Sequence, residues 1–133
     1  MNDTRYRRNA GSVFSLKYLL VWCPKYRRRV LVGSVARDLR SLLYQKGEEL
    51  QVKIEALEII PDHVHQFVES DLGEVPQPFA NQFKDFTSRI LRQKYPHVRY
   101  RLPSLWSRSY FVGSVGHVSE EAVCRYIAAQ QSS

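Results

Sequence analysis

The sequence predicts an α+β fold of the ferredoxin-like type, with one antiparallel sheet, helices on one face and an extra C-terminal helix. Three patterns predict it. Residues 13–23 alternate strictly, with every second side chain apolar, which is typical of a core strand. Segments 34–47 and 79–94 carry apolar residues at helical spacing. With the shorter segments between them, these patterns give the order β-α-β-β-α-β-α.

Each predicted element is bounded by residues that start or stop regular structure. Pro24 ends the first strand, Ser34 is placed to cap the first helix, and Pro96 stops the second. Pro61-Asp62 joins two strands as an antiparallel hairpin. The elements in order are strand 13–23, a helix from 34 to about 47 or a few residues beyond, strands 52–59 and 63–69, a Gly/Pro-rich loop at 73–78, helix 79–94, strand 105–112, a glycine-containing joint at 113–118 and helix 119–130.

Length and composition indicate one globular domain. The chain has 133 residues, 44% of them hydrophobic and 25% charged. The sheet-and-helix core is expected within 1–112, followed by the joint and by a C-terminal helix within 119–133. No apolar run approaches the roughly 20 residues of a membrane helix, and the Arg-rich start lacks the apolar region of a signal peptide. With only two cysteines, Cys23 and Cys124, a reducing, cytoplasmic setting is expected.

The charge balance favours an anionic partner. Twenty Lys and Arg residues against thirteen Asp and Glu give a net charge of +7. Solubility alone would also account for an excess of this size, but the basic residues are segregated from the acidic ones and interleaved with tyrosines. This pattern suits a nucleic-acid strand. The DNA-binding candidates are Arg5, Arg7, Arg8, Lys25, Tyr26, Arg27, Arg28, Arg89, Arg92 and Arg108.

Two histidines offer a metal site. His63 and His65 stand two apart on a predicted strand, so both side chains point the same way and both can reach one ion. A lone pair of this kind is more often a packing or surface feature. Here the pair holds two of only four histidines, and it lies in a hydrophobic strand where spare polar groups are costly.

A tyrosine and a glutamine share one face of the last predicted helix. Tyr126 and Gln130 stand four residues apart, so they lie one turn from each other. Both could enter a single site. The alternative is a helix that simply packs Tyr126 into the core. Tyr110 and Tyr26 are competing tyrosines, but neither has a glutamine one turn on.

The combined motifs resemble those of the single-tyrosine HUH transposases of small bacterial and archaeal insertion sequences, in which two histidines flank a hydrophobic residue. The matching segments keep their order and spacing across almost the whole chain. They are Trp22-x-x-Lys25-Tyr26-Arg27, Pro61-Asp62-His63-Val64-His65, Leu105-Trp106-x-Arg108-Ser109-Tyr110-Phe111 and Arg125-Tyr126-Ile127-x-x-Gln130. Gln66 departs from the family, which usually has an apolar residue there.

The resemblance implies a single transposase domain with a defined set of roles. Tyr126 would be the nucleophile that forms a 5′-phosphotyrosine, and His63, His65 and Gln130 would bind a divalent metal, Mg²⁺ or Mn²⁺. The substrate would be single-stranded DNA with hairpins at the element ends. The resemblance also implies a homodimer, in which the tyrosine helix of one subunit could meet the histidine pair of the other.

Two other functions remain open from the residues. A domesticated or non-catalytic protein of the same fold would bind single strands or hairpins without turnover. An unrelated metal hydrolase would use water as nucleophile and form no covalent intermediate, and it would need further ligands, such as a carboxylate near the pair. Asp62 is expected to point to the opposite face of the strand and to serve the turn. The joint at 113–118 is either a hinge or an ordinary turn.

Overall fold

A computed structural model describes residues 16–70, 76–114 and 125 of the chain. Within them the elements are β1 Leu16–Pro24, α1 Gly33–Leu50, β2 Lys53–Ile60, β3 His63–Ser70, α2 Pro76–Lys94, α3 Pro96–Arg101 and β4 Trp106–Ser114. A 3-10 segment at Lys25–Arg27, which we call the basic turn, directly follows β1.

The four strands form one antiparallel sheet in the order β2-β3-β1-β4. Helix α1 carries the chain from β1 to β2 at one edge of the sheet. The hairpin then returns the chain, and β3 lies between β2 and β1. This is the sheet expected for a ferredoxin-like fold, and the predicted α+β class is confirmed. The predicted C-terminal helix 119–133 lies outside the described residues.

The helices bury one face of the sheet. Alternate residues of β1 and β3, including Leu20, Trp22, Val64 and Val68, are buried in this core, and Tyr18 is partly buried against it, as the alternation of β1 predicts. Phe14, the first residue of that predicted stripe, lies outside the described residues. The helices contribute their predicted apolar stripes, with Val35, Leu39, Leu43, Phe83 and Leu91 all buried.

The opposite face of the sheet is also buried at its centre. In the register, His65 lies opposite Val21 on β1 and Glu58 on β2, so the three side chains share this second face. His65 is 6% exposed, Glu58 3% and Phe67 0%. Phe67 is not part of the helix-side core. His65 therefore stands on a covered part of the sheet, whereas His63, at the start of β3, is only partly buried.

Besides shifts of one residue at strand ends, three differences from the sequence prediction concern a helix cap, a loop and the joint. Helix α1 begins at Gly33 with Val32 as its N-cap residue, and no side chain caps it, so Ser34 does not have the predicted role. Helix α2 begins at Pro76, inside the predicted loop 73–78, because proline is tolerated in a first turn, where its missing N–H has no intrahelical partner. Strand β4 runs through Gly113 and Ser114, the first two residues of the predicted joint.

One short helix was not predicted. Pro96 does interrupt α2, but it also opens α3, because a proline fits the first turn of a new helix. The six residues of α3 contain one fully buried apolar side chain, Val98. That is too little to produce a helical stripe in the sequence. In the described part of the chain, no helix is both long and apolar enough to cross a membrane.

Candidate active site

The two histidines of β3 lie side by side. Because they are two residues apart on a strand, their rings share one face, with centroids 5.8 Å apart and planes only 4° from parallel. His63 stands at the first residue of β3 and is half-buried, whereas His65 is buried. The pair therefore offers two imidazoles to one position at the end of the strand.

An aspartate in the preceding turn contacts the first histidine. The Nδ1 atom of His63 lies 2.8 Å from Oδ1 of Asp62. Burial acts to raise the pKa of Asp62, but the hydrogen bond with His63 and the nearby charges of Arg27 and Arg29 outweigh it, so the pKa lies below its ordinary value. The expectation that Asp62 points away from the pair is wrong, because the alternation of a strand does not extend into the turn before it.

This contact selects a tautomer of His63. A carboxylate can only accept a hydrogen bond, so Nδ1 must carry the hydrogen and donate it to Asp62. In the neutral imidazole, Nε2 then keeps its lone pair. A ring nitrogen with a free lone pair is the form that binds a metal ion.

The basic turn brings an arginine to the same ring. The Nη2 atom of Arg27 lies 2.6 Å from Nε2 of His63 and 3.3 Å from Nδ1. An atom on the outward lone-pair axis of Nε2 would be farther from Nδ1 than from Nε2 by almost the full distance between the two ring nitrogens. The Nη2 atom of Arg27 is instead nearly as close to Nδ1 as to Nε2. The guanidinium therefore lies towards the face of the ring and leaves the outward direction of Nε2 clear.

The backbone of this turn is strained. Tyr26 has φ 60° and Arg27 has φ 52°, values that non-glycine residues rarely adopt. The strained backbone turns Arg27 towards His63 and Asp62, 3.5 Å from Oδ2 of the latter, and leaves Tyr26 67% exposed. Such strain costs free energy and is most often kept at functional sites.

His65 is held neutral by its surroundings. Burial lowers the pKa of His65 below its ordinary value, and the neighbouring His63 lowers it further. A neutral imidazole is what a metal site requires, since a bound proton and a metal compete for the same lone pair.

The remaining site residues of the sequence prediction are distributed unevenly. Lys25 and Arg108 line a common cleft beside β4, and Arg28 and Arg89 are exposed. The Nη1 atom of Arg92 donates to the carbonyl of Leu102 at 2.9 Å, so Arg92 fastens the segment that precedes β4. Five predicted residues, Arg5, Arg7, Arg8, Tyr126 and Gln130, lie outside the described residues.

Within the described ranges, no third ligand of the usual kinds completes the pair. Among the described residues, no group of three His, Cys, Asp or Glu side chains could hold a metal ion. The third ligand that the family resemblance implies, Gln130, lies outside those residues.

Sequence reasoning missed two polar residues near the site. One is Asp62, which it assigned to the turn alone. The other is Lys84, whose side chain is 8% exposed and whose Nζ lies 2.9 Å from the carbonyl of Ser107 at the start of β4. A lysine between Phe83 and Asp85 on an amphipathic helix gives no signal in the sequence that it will be buried.

Comparisons with known proteins identify the family of the chain. The family model for IS200-like transposases matches residues 12–130. The chain is 30% identical over 126 residues to the ISDra2 transposase TnpA of Deinococcus radiodurans, covering 93% of this chain and 90% of that protein. It is also 30% identical over 109 residues to the transposase for insertion sequence element IS200 of Salmonella typhimurium, covering 80% and 72%.

Solved structures share the fold. A crystal structure of a Deinococcus radiodurans R1 protein superposes with a TM-score of 0.76 at 30% identity, over 93% of this chain and 97% of that one. The structure of a REP-associated tyrosine transposase bound to a REP hairpin superposes with a TM-score of 0.60 at 12% identity, over 84% and 62%. The sheet, the histidine pair and a family match spanning residues 12–130 lead to one assignment: the chain belongs to the IS200-like transposase family.

Proposed function

We propose that this transposase cleaves and rejoins single-stranded DNA at hairpin-marked element ends, through a 5′-phosphotyrosine on Tyr126 and with a divalent metal at the histidine pair. The observation that carries the proposal is the parallel pair His63 and His65, with Asp62 bound to Nδ1 of the first ring. A pair that served packing alone would have no need of a carboxylate that fixes one tautomer.

The residues present fit a divalent ion. Nε2 of His63 keeps its lone pair because Nδ1 donates to Asp62, and burial keeps His65 neutral. Two imidazoles and the amide oxygen of Gln130 form a mixed nitrogen and oxygen donor set, which suits Mn²⁺ and, with oxygens from DNA, Mg²⁺. When bound, the ion supplies Lewis-acid polarisation of the scissile phosphate and stabilises the charge on the leaving oxygen.

The protein supplies the nucleophile. The Oη atom of Tyr126 loses its proton and forms a bond to the phosphorus. The bond between phosphorus and the 3′ oxygen breaks, and that oxygen takes up a proton to become a free 3′-OH. Because a phenol has a pKa near 10, Tyr126 is also a good leaving group. A different 3′-OH can then displace it and join the strands without ATP.

We propose that Arg27 contributes to catalysis by binding the scissile phosphate. Its guanidinium lies against His63 and remains 61% exposed in its side chain. An arginine there would bind the scissile phosphate and neutralise charge as the phosphorus is attacked. Because Arg27 lies towards the ring face, it would contact the phosphate without occupying the outward direction of Nε2.

The partners follow from the family and from the charge. One relative of the same fold is a tyrosine transposase bound to a REP hairpin, and the net charge of +7 favours a DNA ligand here. We further propose a homodimer in which the tyrosine helix of one subunit completes the histidine site of the other. A two-fold dimer would present two equivalent surfaces to the two element ends.

A trapping experiment tests the proposal. The protein is mixed with a 3′-labelled single strand that carries the hairpin flanking its gene, with Mn²⁺ or with EDTA, and run on a denaturing gel. We expect a slow-migrating adduct that requires the metal, disappears in Tyr126→Phe and persists in Tyr110→Phe. Cleaved DNA without an adduct would instead indicate a hydrolase that uses water, and binding without cleavage would indicate a non-catalytic DNA-binding protein.

A further inference from the structure

A polar cleft lies between α2 and the start of β4, next to the basic turn. Its volume is about 410 Å³, and three elements contribute to its walls: Lys25 from the basic turn, Asp85 and Ser88 from α2, and Ser104 and Arg108 from the segment at β4. The volume falls in the range of small-ligand sites. It is far too small to admit a DNA duplex, but it can hold a single nucleotide.

The walls of the cleft are fixed by hydrogen bonds that span the elements. The backbone N–H of Lys25 donates to the carbonyl of Leu105 at 2.8 Å, which holds the basic turn against β4. Across the cleft, the Nζ atom of Lys84 donates to the carbonyls of Ser107 at 2.9 Å and Arg108 at 3.4 Å. A site whose walls are already positioned loses less free energy to ordering when a ligand binds.

The charge of the cleft is positive on balance. Lys25, Lys84 and Arg108 bring three cationic groups to the walls, against the single carboxylate of Asp85. Burial lowers the pKa of Lys84, and the nearby charge of Asp85 acts in the opposite direction. The carbonyl acceptors around Nζ are suited to an ammonium, so a positive charge lies beneath the floor of the cleft.

The cleft connects to the histidine pair through the basic turn. Lys25 lines the cleft, and Arg27, two residues later, contacts His63. The basic turn thus contributes one residue to the cleft and one to the histidine pair, although the cleft lies against α2 and the pair lies on the sheet face away from the helices. Because two residues of extended chain span at most about 7 Å, a strand held at Arg27 can follow the basic turn to the cleft. Stacking on Trp106 does not explain the site, because that indole is 6% exposed and its Nε1 donates to Thr87.

We propose that this cleft binds one nucleotide of the single strand next to the scissile phosphate, with its phosphate at Lys25 and Arg108 and an amino group of its base at Asp85. A carboxylate accepts well from the amino group of cytosine, whereas it repels a bare anion, so a nucleotide suits the cleft better than free phosphate does. The inference deepens the function proposed above and rests on it.

Fluorescence anisotropy in EDTA tests the cleft without requiring the metal or the tyrosine. The probes are labelled oligodeoxycytidylate and oligodeoxythymidylate. We expect Lys25→Ala and Arg108→Ala each to weaken binding of both probes several-fold and to lower the slope of log K against log salt by about 0.7. The matched control is Arg37→Ala, an exposed arginine on α1 outside the cleft, which should bind like the wild type.

Two further variants test whether the nucleotide occupies the cleft and whether its base contacts Asp85. Ser88→Trp fills the cleft without changing the charge and should weaken binding as Arg108→Ala does. Asp85→Asn should remove a preference of about fivefold for the cytidylate probe over the thymidylate probe. As a competitor at matched ionic strength, deoxycytidine monophosphate should displace the cytidylate probe at lower concentration than inorganic phosphate does.

The outcomes distinguish a failure of the cleft assignment from a failure of the proposed function. If the cleft variants bind both probes as Arg37→Ala does while the wild type still forms the Tyr126 adduct, the cleft assignment is overturned and the function stands. Equal displacement by phosphate and by the mononucleotide would overturn the nucleotide as ligand. If the wild type neither binds single strands nor forms an adduct, both the cleft assignment and the proposed function fall.

Discussion

A single hydrogen bond determines which ring nitrogen of His63 is available to a metal ion. Asp62 accepts from Nδ1 at 2.8 Å, so the lone pair is left on Nε2. A free imidazole exists as a mixture of tautomers, and the wrong one would have to rearrange before it could bind. Asp62 is therefore a positioning residue, whose effect should appear in metal affinity as well as in activity.

Removing that carboxylate should weaken the metal site. We expect Asp62→Ala to lower Mn²⁺ affinity by about 10- to 100-fold, and Asp62→Asn to lie between it and the wild type, because an amide oxygen still accepts a hydrogen bond but carries no charge. Calorimetry measures the affinity, and ¹⁵N NMR of the metal-free protein reports the tautomer of His63. The control is Glu48→Gln, which changes an exposed carboxylate of α1. An Asp62→Ala protein with wild-type affinity and tautomer would contradict the account.

A second residue places a polar group where the fold needs none. Gln66 is fully buried on the helix side of β3, opposite Leu20 and Leu57. Neither its amide nitrogen nor its amide oxygen has a hydrogen-bond partner among the described residues. Leaving such groups unsatisfied costs roughly 1–3 kcal/mol, so the departure from the apolar residue usual in the family has a price in stability.

Gln66→Met should therefore stabilise the protein. Methionine has a similar length and no unsatisfied polar atoms, and we expect the free energy of unfolding to rise by about 1–2 kcal/mol. Urea denaturation measures the change, with Gln45→Met, an exposed position on α1, as the control that should show none. A less stable Gln66→Met protein would mean that the amide has a partner that the described residues do not reveal.

At the scale of elements, a buried hydrogen bond between two side chains, Trp106 and Thr87, links β4 to α2. The indole Nε1 of Trp106 donates to Oγ1 of Thr87 at 3.0 Å, and that hydroxyl donates to the carbonyl of Phe83 at 2.8 Å. Thr87 is fully buried and Trp106 is 6% exposed. The bond fixes β4 against the helix at the edge of the polar cleft.

Thr87→Val keeps the shape of the side chain and removes the acceptor. The buried indole N–H would then be unsatisfied, and we expect the free energy of unfolding to fall by about 1–3 kcal/mol. Making the same change in a Trp106→Phe background isolates the bond, because no N–H is left to satisfy and the loss should nearly vanish. Equal losses in both backgrounds would show that the hydroxyl acts through Phe83 alone.

The elements with a clear period could be predicted from the sequence, and those without one could not. The alternation of β1 and the stripes of α1 and α2 reflect burial on one face, so the pattern and the structure agree. The start of α2 at Pro76 and the short α3 depend on the chain around them rather than on a period. Ser34 is a favourable cap residue, yet the helix begins one residue before it.

The same limit applies to the candidate site. His63 and His65 could be paired from strand alternation alone. Asp62 could not, because it precedes the strand, and Lys84 could not, because its burial depends on carbonyls of β4 that lie 23 and 24 residues away. The roles of Tyr126 and Gln130 rest on the family resemblance, and both residues lie outside the described part.

At the scale of the whole molecule, the proposed homodimer would share each site between two copies of the chain. Mixing two inactive proteins tests this arrangement directly. His63→Ala keeps an intact tyrosine, and Tyr126→Phe keeps an intact histidine pair. If the tyrosine acts in trans, a heterodimer of the two contains one complete site, and adduct formation on labelled DNA should return on mixing.

The controls for this test are each variant alone and a mixture of Tyr126→Phe with the double variant His63→Ala/Tyr126→Phe. None of them can form a complete site, so none should give an adduct. If the first mixture also remains inactive after the subunits have demonstrably exchanged, each site is built from one chain, and the proposed trans arrangement is wrong.

The central claim is that Tyr126 becomes covalently bonded to the 5′ phosphate of the cleaved DNA. Mass spectrometry of the adduct tests this claim most directly. Trypsin cleaves after Arg125, and residues 126–133 contain no Lys or Arg, so the tryptic peptide that begins at Tyr126 includes 126–133, in which Tyr126 is the only tyrosine. After nuclease digestion of the trapped complex, we predict this peptide with a nucleotide joined by its 5′ phosphate. A nucleotide on any other peptide, or cleaved DNA that ends in a free 5′ phosphate with peptide 126–133 unmodified, would contradict the account.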